Sequence, residues 1–332
     1  MRLILLLCVF AFAMVSCDNE LDTIEEYKDI PVVYGFISLS DTAQYIRIER
    51  AFVDPNQSAL DLAQNPDSLY YMNATVELVR VSTGDRYTLE MVDGNLEGYV
   101  REEGAFAQQP NYLFKILSTD MVLVGGEEYT LVLDRGDGSD LIETTTLLLG
   151  QSSIKTPNPT NSVTLAFQYL SENRFVWQSS EGASIHDLYF RFNYRERSPE
   201  TNGEFEQRSV LWPVISNYRE VDTRVNVETD GVNFYTFLRG AIDQDPDAER
   251  RFEDMDMIVI SGGSEIEEFV TISSANLGIT STQDVPVFSN IPEGRGIFSS
   301  TNTAILENIS LSSTTIDSIK TGIYTKELNF TN

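Results

Sequence analysis

Cysteine is nearly absent from this chain. Of its 332 residues only Cys8 and Cys17 are cysteines, so the chain beyond residue 17 has no disulfide, no thiolate nucleophile and no cysteine ligand for a metal. Histidine is scarcer still, because His186 is the only one. This scarcity argues against a histidine-rich zinc site and against a Ser-His-Asp triad. A lone His186 retains the chemistry of an acid or base, but its position before a predicted strand is more typical of a turn residue.

Basic residues are also few. The chain carries 23 Lys and Arg against 51 Asp and Glu, which gives a formal net charge of −28. Such a surface repels nucleic-acid phosphates and anionic lipid headgroups, so we expect no nucleic-acid partner and no polybasic membrane-binding role. The acidic excess is more typical of solubility, for a protein held at high density on a membrane, than of a site for a basic ligand.

Recognisable catalytic motifs are missing as well. The chain has no G-x-S-x-G, no H-E-x-x-H and no glycine-rich phosphate loop. Its 51 acids allow many carboxylate pairs of the kind that hydrolyse glycosides, yet nothing singles out one pair. We therefore expect a protein that is not an enzyme, with an anchored carboxylate-dependent hydrolase as the alternative.

What the sequence does contain begins with a leader. Arg2 precedes a short apolar stretch that cannot span a bilayer and has the layout of a secretory signal. The stretch ends in MVSC at residues 14–17, and a small residue directly before a cysteine resembles the bacterial lipobox. The resemblance implies that residues 1–16 are removed and that Cys17 is lipidated, which anchors the chain to a membrane. Residues 17–30 are then expected to form an acidic, flexible tether.

The region that follows the tether is rich in strand patterns. Apolar and charged residues alternate along YIRIER at residues 45–50, which is the period of a half-buried strand. A turn at residues 82–85 joins two further strands into a predicted hairpin. One short helix is predicted over residues 58–65, ended by Pro66. The predicted strands of this region are 31–37, 45–50, 74–81, 86–89, 112–117, 128–133 and 142–149.

A stretch rich in Ser, Pro and Asn at residues 150–162 is the predicted domain boundary. It divides the chain into an N-terminal β-sandwich domain, residues 31–150, and a C-terminal β-rich domain, residues 151–332. Strands at short spacing with turn signals between them indicate an all-β fold. We expect two β-sandwich-like modules, of immunoglobulin or transthyretin type, with one or two short helices.

The C-terminal domain has the clearest alternation in the chain, at residues 188–195. A helix is predicted over residues 246–254, because Asp245 is placed as its N-cap and Pro246 at its first position. The other predicted strands are 210–215, 234–238, 257–260 and 269–273, with a closing strand over 321–330.

One acidic cluster has part of the spacing of a calcium loop. Its members are Asp243, Asp245, Asp247, Glu249 and Asp254. However, Ala248 replaces the glycine that the loop needs for its sharp turn, and capping of the predicted helix explains the same acids without an ion. Calcium is therefore a weak alternative, and no other cofactor is expected. A second acidic segment, residues 134–140, is predicted to be a hairpin turn.

Several segments together resemble a known family. They are the lipobox cysteine with its acidic tether, PVVYGFISL at residues 31–39, ATVELVRVSTG at 74–84, GGEEYTLVL at 125–133 and VPVFSNIPEGRGIFSS at 285–300. In this combination they are similar to uncharacterised outer-membrane lipoproteins of Bacteroidota, a family known only as a domain of unknown function. The resemblance spans most of the mature chain. It implies a two-part β architecture, often partnered genetically with TonB-dependent transporters, and it carries over no catalytic residue.

These observations predict a non-catalytic, lipid-anchored protein of the outer membrane that binds a glycan, a small molecule or a protein partner. A TonB-dependent transporter is the candidate partner, and a structural role in outer-membrane assembly is a further alternative. The cell surface is favoured over the periplasmic face. The resemblance also implies O-glycosylation at Asp-Ser/Thr triplets, whose hydroxyl residues are Thr23, Thr42, Ser68 and Ser318. Of these, Thr42 and Ser68 lie in predicted loops, where a bulky sugar is tolerated.

Overall fold

The computed structural model describes residues 28–53, 58–159, 162–199, 203–220, 222–276 and 287–331. Strands make up 48% of the chain and helices 15%, so the predicted all-β class is confirmed. The leader, Cys17 and most of the tether lie outside the described residues. The predicted end of the tether at residue 30 is wrong, because the first strand begins at Lys28. Its first residues pair with the second strand, Asp29 opposite Phe52.

Fifteen strands are described, and they are numbered in chain order. They are β1 Lys28–Ile37, β2 Ala43–Val53, β3 Thr75–Arg80, β4 Arg86–Asp93, β5 Tyr112–Leu117, β6 Glu128–Asp134, β7 Ile142–Leu147, β8 Ser153–Thr156, β9 Thr164–Leu165, β10 Glu172–Gln178, β11 Ala183–Arg197, β12 Glu206–Arg219, β13 Arg224–Asp230, β14 Glu249–Gly263 and β15 Arg295–Leu311.

Five α-helices are described, which is more than the one or two expected. They are α1 Ala59–Ala63, α2 Pro66–Leu69, α3 Gly231–Ala241, α4 Ser264–Asn276 and α5 Ser313–Thr321, and a 3₁₀ turn follows at Lys326–Leu328. The short helix predicted at residues 58–65 is confirmed as α1.

The N-terminal half is a β-sandwich whose two layers share one strand. Its strands run in the order β1-β2-β5-β4-β3-β6-β7. The first half of β4 pairs with β3, Leu89 opposite Val76, whereas the second half pairs with β5, Glu90 opposite Lys115. The strand therefore passes from one layer to the other. Alternating residues such as Val33 and Ile46 face inward and are buried in the core between the layers.

The C-terminal half packs a small sheet against a larger one. The strands β12-β11-β14-β15 form the larger face, and β13-β10-β8 form the smaller one. The two faces meet at aromatic residues: the rings of Phe175 on β10 and Phe190 on β11 have centroids 4.9 Å apart. Helix α3 closes this core, since Phe234, Tyr235 and Leu238 are fully buried in it.

The two halves share a continuous sheet. β1 pairs in parallel with β15, from Val32 opposite Arg295 to Ile37 opposite Ser300. Phe298 of β15 is consequently part of the N-terminal core, although it lies far along the chain. Two cores occur where two domains were expected, but strand pairing crosses between them.

The predicted linker at residues 150–162 needs correction, because it contains β8. This strand pairs with β10, and Ile154 is buried in the C-terminal core. Just before it, the backbone N–H of Ser152 donates to Oδ1 of Asn302 on β15, 2.9 Å away. Residues 152–156 are therefore built into the fold, despite a composition typical of a linker.

Two elements of the C-terminal half were predicted with the wrong type. Residues 246–254 are a turn followed by the start of β14, where a helix was predicted. The carboxylate of Asp245 accepts from the backbone N–H of Asp247 at 2.9 Å, so the residue that suggested a helix cap closes a turn. Residues 234–238, predicted as a strand, lie in α3. There the buried residues recur at helical spacing on one face.

Two further strand predictions in the C-terminal half are wrong. Residues 269–273 belong to α4, and the tail at 321–330 follows α5 with a 3₁₀ turn. In this tail, strand pairing among the described residues is limited to an isolated bridge between Phe330 and Arg250. Short β-branched or apolar runs do not distinguish a strand from one or two turns of half-buried helix.

Candidate functional site: a cavity on the outer face of β1 and β2

A cavity of about 650 Å³ lies against the first two strands. Their register sets Tyr34 opposite Arg47 and Val32 opposite Glu49. Since Val33 and its inward-facing neighbours fill the core, the alternating residues between them face outward. These outward side chains, with Ala51, form the floor of the cavity.

The walls of the cavity come from two helices and a loop. Helix α1 contributes Leu60 and Ala63, and helix α2 contributes Leu69. Helix α2 begins where it does because Asn65 caps it: its side-chain oxygen accepts from the backbone N–H of Asp67 at 3.1 Å. The loop between β4 and β5 contributes a third wall, formed by Arg101, Ala105 and Phe106.

The opening of the cavity is rimmed by large side chains that folding leaves half exposed. Tyr34 is 44% exposed, Leu60 53% and Phe106 47%. Single exposed apolar residues are ordinary, but three of them around one concave opening form an apolar patch. Such a patch is typical of a surface that another molecule covers.

The better-buried part of the lining holds two arginines on one carboxylate. Nη1 of Arg47 donates to Oε1 of Glu49 at 2.9 Å, and Nη2 of Arg101 donates to the same oxygen. Nη1 of Arg47 also donates to Oδ1 of Asn111 at 2.7 Å. The side chains are 26% exposed for Arg47, 10% for Glu49 and 14% for Arg101, so water screens this cluster only in part.

Buried neighbours hold these arginines in place. Nη1 of Arg101 donates to the hydroxyl of Tyr70 at 3.2 Å, and that hydroxyl donates to the carbonyl of Pro110 at 3.1 Å. Burial raises the pKa of Tyr70, so its hydroxyl stays protonated. The amide of Asn111 is fully buried and donates to the carbonyl of Tyr99 at 2.7 Å. The arginine cluster is therefore preorganised.

A third arginine, Arg50, lies in the second half of β2. The guanidinium of Arg50 lies 4.4 Å from the ring centroid of Tyr71, and its Nε is 3.4 Å from Oδ2 of Asp29. This Nε is buried and has no hydrogen-bond partner among the residues that the structure describes. The hydroxyl of Tyr71 donates to the other oxygen of Asp29. The pKa of Tyr71 is raised, mainly by burial and secondly by this hydrogen bond.

The charge of the described lining is opposite to that of the whole chain. It includes Arg47, Arg50 and Arg101 against the single acid Glu49, in a chain of formal net charge −28. The cavity thus offers apolar surface and cationic donors, and its one carboxylate is already held by two guanidiniums. Sequence reasoning missed this site. Alternation along YIRIER does set Arg47 and Glu49 on one face, but nothing local connects them to Arg101.

The five acids of the calcium hypothesis do not converge. Glu249 accepts from Arg251 and Arg197, which hold its pKa below the usual range, and Asp254 accepts from Nδ2 of Asn193 at 2.7 Å. Within the described ranges, no group of three or more acidic, histidine or cysteine side chains is arranged to hold a metal. The predicted hairpin turn at 134–140 is confirmed, since it joins the paired strands β6 and β7.

The predicted glycosylation positions differ in their surroundings. Thr42 is exposed in the turn before β2. Ser68 lies in α2, so its predicted loop is wrong, and it is partly buried. Ser318 lies in α5, where its hydroxyl donates to the carbonyl of Thr314 at 2.9 Å. Thr23 lies outside the described residues.

His186 was predicted as a turn residue, and the structure corrects this. It lies within β11, is 1% exposed, and its Nδ1 is 2.9 Å from Oγ of Ser261. Burial lowers its pKa to about 4, so the ring is neutral at physiological pH. Its ring lies edge-on to that of Trp177, with 5.7 Å between the ring centroids.

Comparison with known proteins identifies no relative by sequence. No protein-family model matches the chain, and no curated protein matches it. Among solved structures, the crystal structure of DIP-gamma IG1+IG2 is similar at 9% identity, covering 85% of this chain and 97% of that one, with a TM-score of 0.17. A likeness at this TM-score supports no inference about fold or function. In the part of the chain that the structure describes, no helix has the length and apolarity needed to cross a membrane.

Proposed function

We propose that this chain is a non-catalytic, lipid-anchored binding protein of the outer membrane that holds a small molecule in the cavity on β1 and β2. The observation that carries the proposal is the combination within one cavity of a half-exposed apolar rim and a preorganised arginine cluster. The rim consists of Tyr34, Leu60 and Phe106, and the cluster consists of Arg47 and Arg101 around Glu49. Ligand sites are typically apolar clefts with a few fixed polar groups.

The size of the cavity supports a small ligand. A volume of about 650 Å³ lies within the range of about 300–1,000 Å³ typical of small-molecule sites. The described lining contains one carboxylate, Glu49, so this cavity supplies no carboxylate pair for the hydrolase alternative. These features support binding over hydrolysis at this site.

The proposed anchor keeps the cavity near a membrane. The eleven residues from Cys17 to the start of β1 at Lys28 reach at most about 40 Å when extended. The cavity lies on this same strand. A ligand captured there is consequently held within reach of a membrane transporter, and a TonB-dependent transporter is the partner we propose from the family resemblance.

A blocking variant tests the proposed function. Ala63 lines the cavity as the last residue of α1, so Ala63→Trp should fill part of it. Ala241 is the last residue of α3 and is exposed, which makes Ala241→Trp a matched control. In a thermal-shift screen of small molecules, a ligand of this site raises the melting temperature of the wild type and of Ala241→Trp, but not that of Ala63→Trp. A screen without any such compound would overturn the proposal.

A further inference from the structure

We infer that the ligand of this cavity is an amphipathic monoanion, an apolar body carrying a single carboxylate. The inference rests on the proposed function and deepens it. Two features of the lining select this class of ligand. Its unbalanced positive charge matches a carboxylate, and its apolar rim matches an apolar body.

The expected charge of the ligand follows from the ion pairs in the lining. Arg50 is paired with Asp29, but Arg47 and Arg101 share the one carboxylate of Glu49. Among the described residues, one positive charge is therefore left without a matching acid, in a lining that water reaches only in part. Because a half-buried uncompensated charge is unfavourable, a single negative charge on the ligand completes the cluster.

The chemistry of the donors favours a carboxylate as that charge. Each guanidinium presents several N–H groups in a plane, and the hydrogen bonds to Glu49 and Asn111 use only Nη1 of Arg47. A planar carboxylate accepts two such N–H groups side by side. The described lining offers a cation no unpaired acid, and a dianion would bring more negative charge than the one unmatched guanidinium balances.

The apolar rim indicates that the rest of the ligand is apolar. Tyr34, Leu60 and Phe106 are each about half exposed and surround the opening. Ala51, Ala63 and Leu69 continue this apolar surface along the lining. A hydrocarbon or aromatic body that follows this surface removes it from water while its carboxylate reaches the arginines, so both ends of the ligand are recognised.

Three probes with the same apolar body test the inference by varying only the charged end. They are decanoate, decanol and decylammonium, used below the concentration at which they form micelles. The protein is the chain carrying Cys17→Ser, so that its own acyl groups do not compete. By titration calorimetry, decanoate should bind at least about tenfold more tightly than decanol, because it adds charge-assisted hydrogen bonds. Decylammonium should bind most weakly.

Substitutions then test which residues cause the preference for a carboxylate. Arg101→Gln should remove most of the preference for decanoate over decanol, whereas the exposed Arg174→Gln should leave it unchanged. Glu49→Gln makes a prediction of opposite sign. It removes the competing carboxylate and keeps a similar shape, so decanoate should bind at least as tightly as to wild type while decanol is unaffected. A purely structural role for Glu49 would weaken both probes alike.

The outcomes separate this inference from the proposed function. Equal binding of decanoate and decanol, or tighter binding of decylammonium, would overturn the monoanion. A neutral or cationic compound from the screen would also overturn the monoanion if Ala63→Trp abolishes its binding. That result would still agree with the proposed function. If no probe and no compound in the screen binds in a way that Ala63→Trp blocks, both fall.

Discussion

Removing the side chain of Phe298 should destabilise both halves of the chain at once. Phe298 lies on β15, is 0% exposed, and belongs to the N-terminal core. Its ring packs on Gly35 of β1, where a Cβ atom would come within 3.1 Å of it. The same strand continues to Leu311, which is buried in the C-terminal core. Phe298→Ala therefore opens a cavity at the place where the two cores are joined.

The size of the effect follows from its burial. A fully buried Phe replaced by Ala costs about 3–5 kcal/mol, because the transfer free energy of the ring is lost and a cavity remains. With the slope expected for a chain of this size, the midpoint of urea unfolding should fall by roughly 1 M or more. Phe36 on β1 is 41% exposed, so the control Phe36→Ala should cost about 1 kcal/mol or less.

The assay uses the position of the tryptophans. The chain has two, Trp177 and Trp212, and both lie in the C-terminal core. Their fluorescence therefore reports on the half that does not contain the cavity made by Phe298→Ala. If the shared sheet couples the halves, the fluorescence midpoint should fall together with the circular dichroism midpoint. An unchanged fluorescence midpoint in this variant would refute the coupling and show that the halves unfold independently.

Four further predictions concern the anchor, the junction, the buried histidine and the surface. Cys17→Ser should release the protein into the aqueous phase of a detergent phase separation, and a variant still found with the membranes would contradict lipidation. Gly296 has φ +105° and a Cβ there would meet the backbone of β1 at 1.9 Å, so Gly296→Ala should abolish soluble folded protein, while Gly240→Ala in α3, which has open space around it, should be neutral or slightly stabilising. Burial lowers the pKa of His186 to about 4, so the unfolded chain takes up the proton first. Stability should thus fall by roughly 2 kcal/mol between about pH 6.5 and pH 4, and His186→Gln should show a shallower decline in urea unfolding over that range. Protein from its native host should carry a glycan that Thr42→Val removes, and an intact mass equal to polypeptide plus acyl groups would reject this.

Local patterns predicted the N-terminal strands well. β5 at Tyr112–Leu117 begins and ends at the predicted residues, and the hairpin of β3 and β4 forms around its predicted turn. Each of these elements is defined by alternation and turn residues within about ten positions, which a sequence displays directly. The pairing of β1 with β15 joins residues more than 250 positions apart, and no local pattern specifies it.

The errors in the C-terminal half have a common physical origin. Asp245 and Pro246 suit a helix start and a turn equally well, and long-range pairing of β14 with β11 makes the following residues a strand. Conversely, residues 234–238 have strand propensity, but burial of one face against the aromatic core makes them helical. Tertiary packing overrides propensity in both cases.

The cavity was beyond sequence reasoning for a similar reason. The polar face of β2 was predictable, since Arg47 and Glu49 alternate with buried isoleucines. Arg101 reaches Glu49 only because of the path that the loop after β4 takes. Asn95 holds that loop, since its Oδ1 accepts from the backbone N–H of Arg101 at 3.1 Å. A site assembled from a strand, two short helices and a loop has no compact motif.

The measurement that tests the central claim most directly is a crystal structure of the chain grown with saturating decanoate. The account predicts the carboxylate within about 3.2 Å of a guanidinium nitrogen of Arg47 or Arg101. It also predicts that the alkyl chain covers Tyr34, Leu60 and Phe106. Decanoate bound elsewhere on the protein, with this cavity empty, would contradict it.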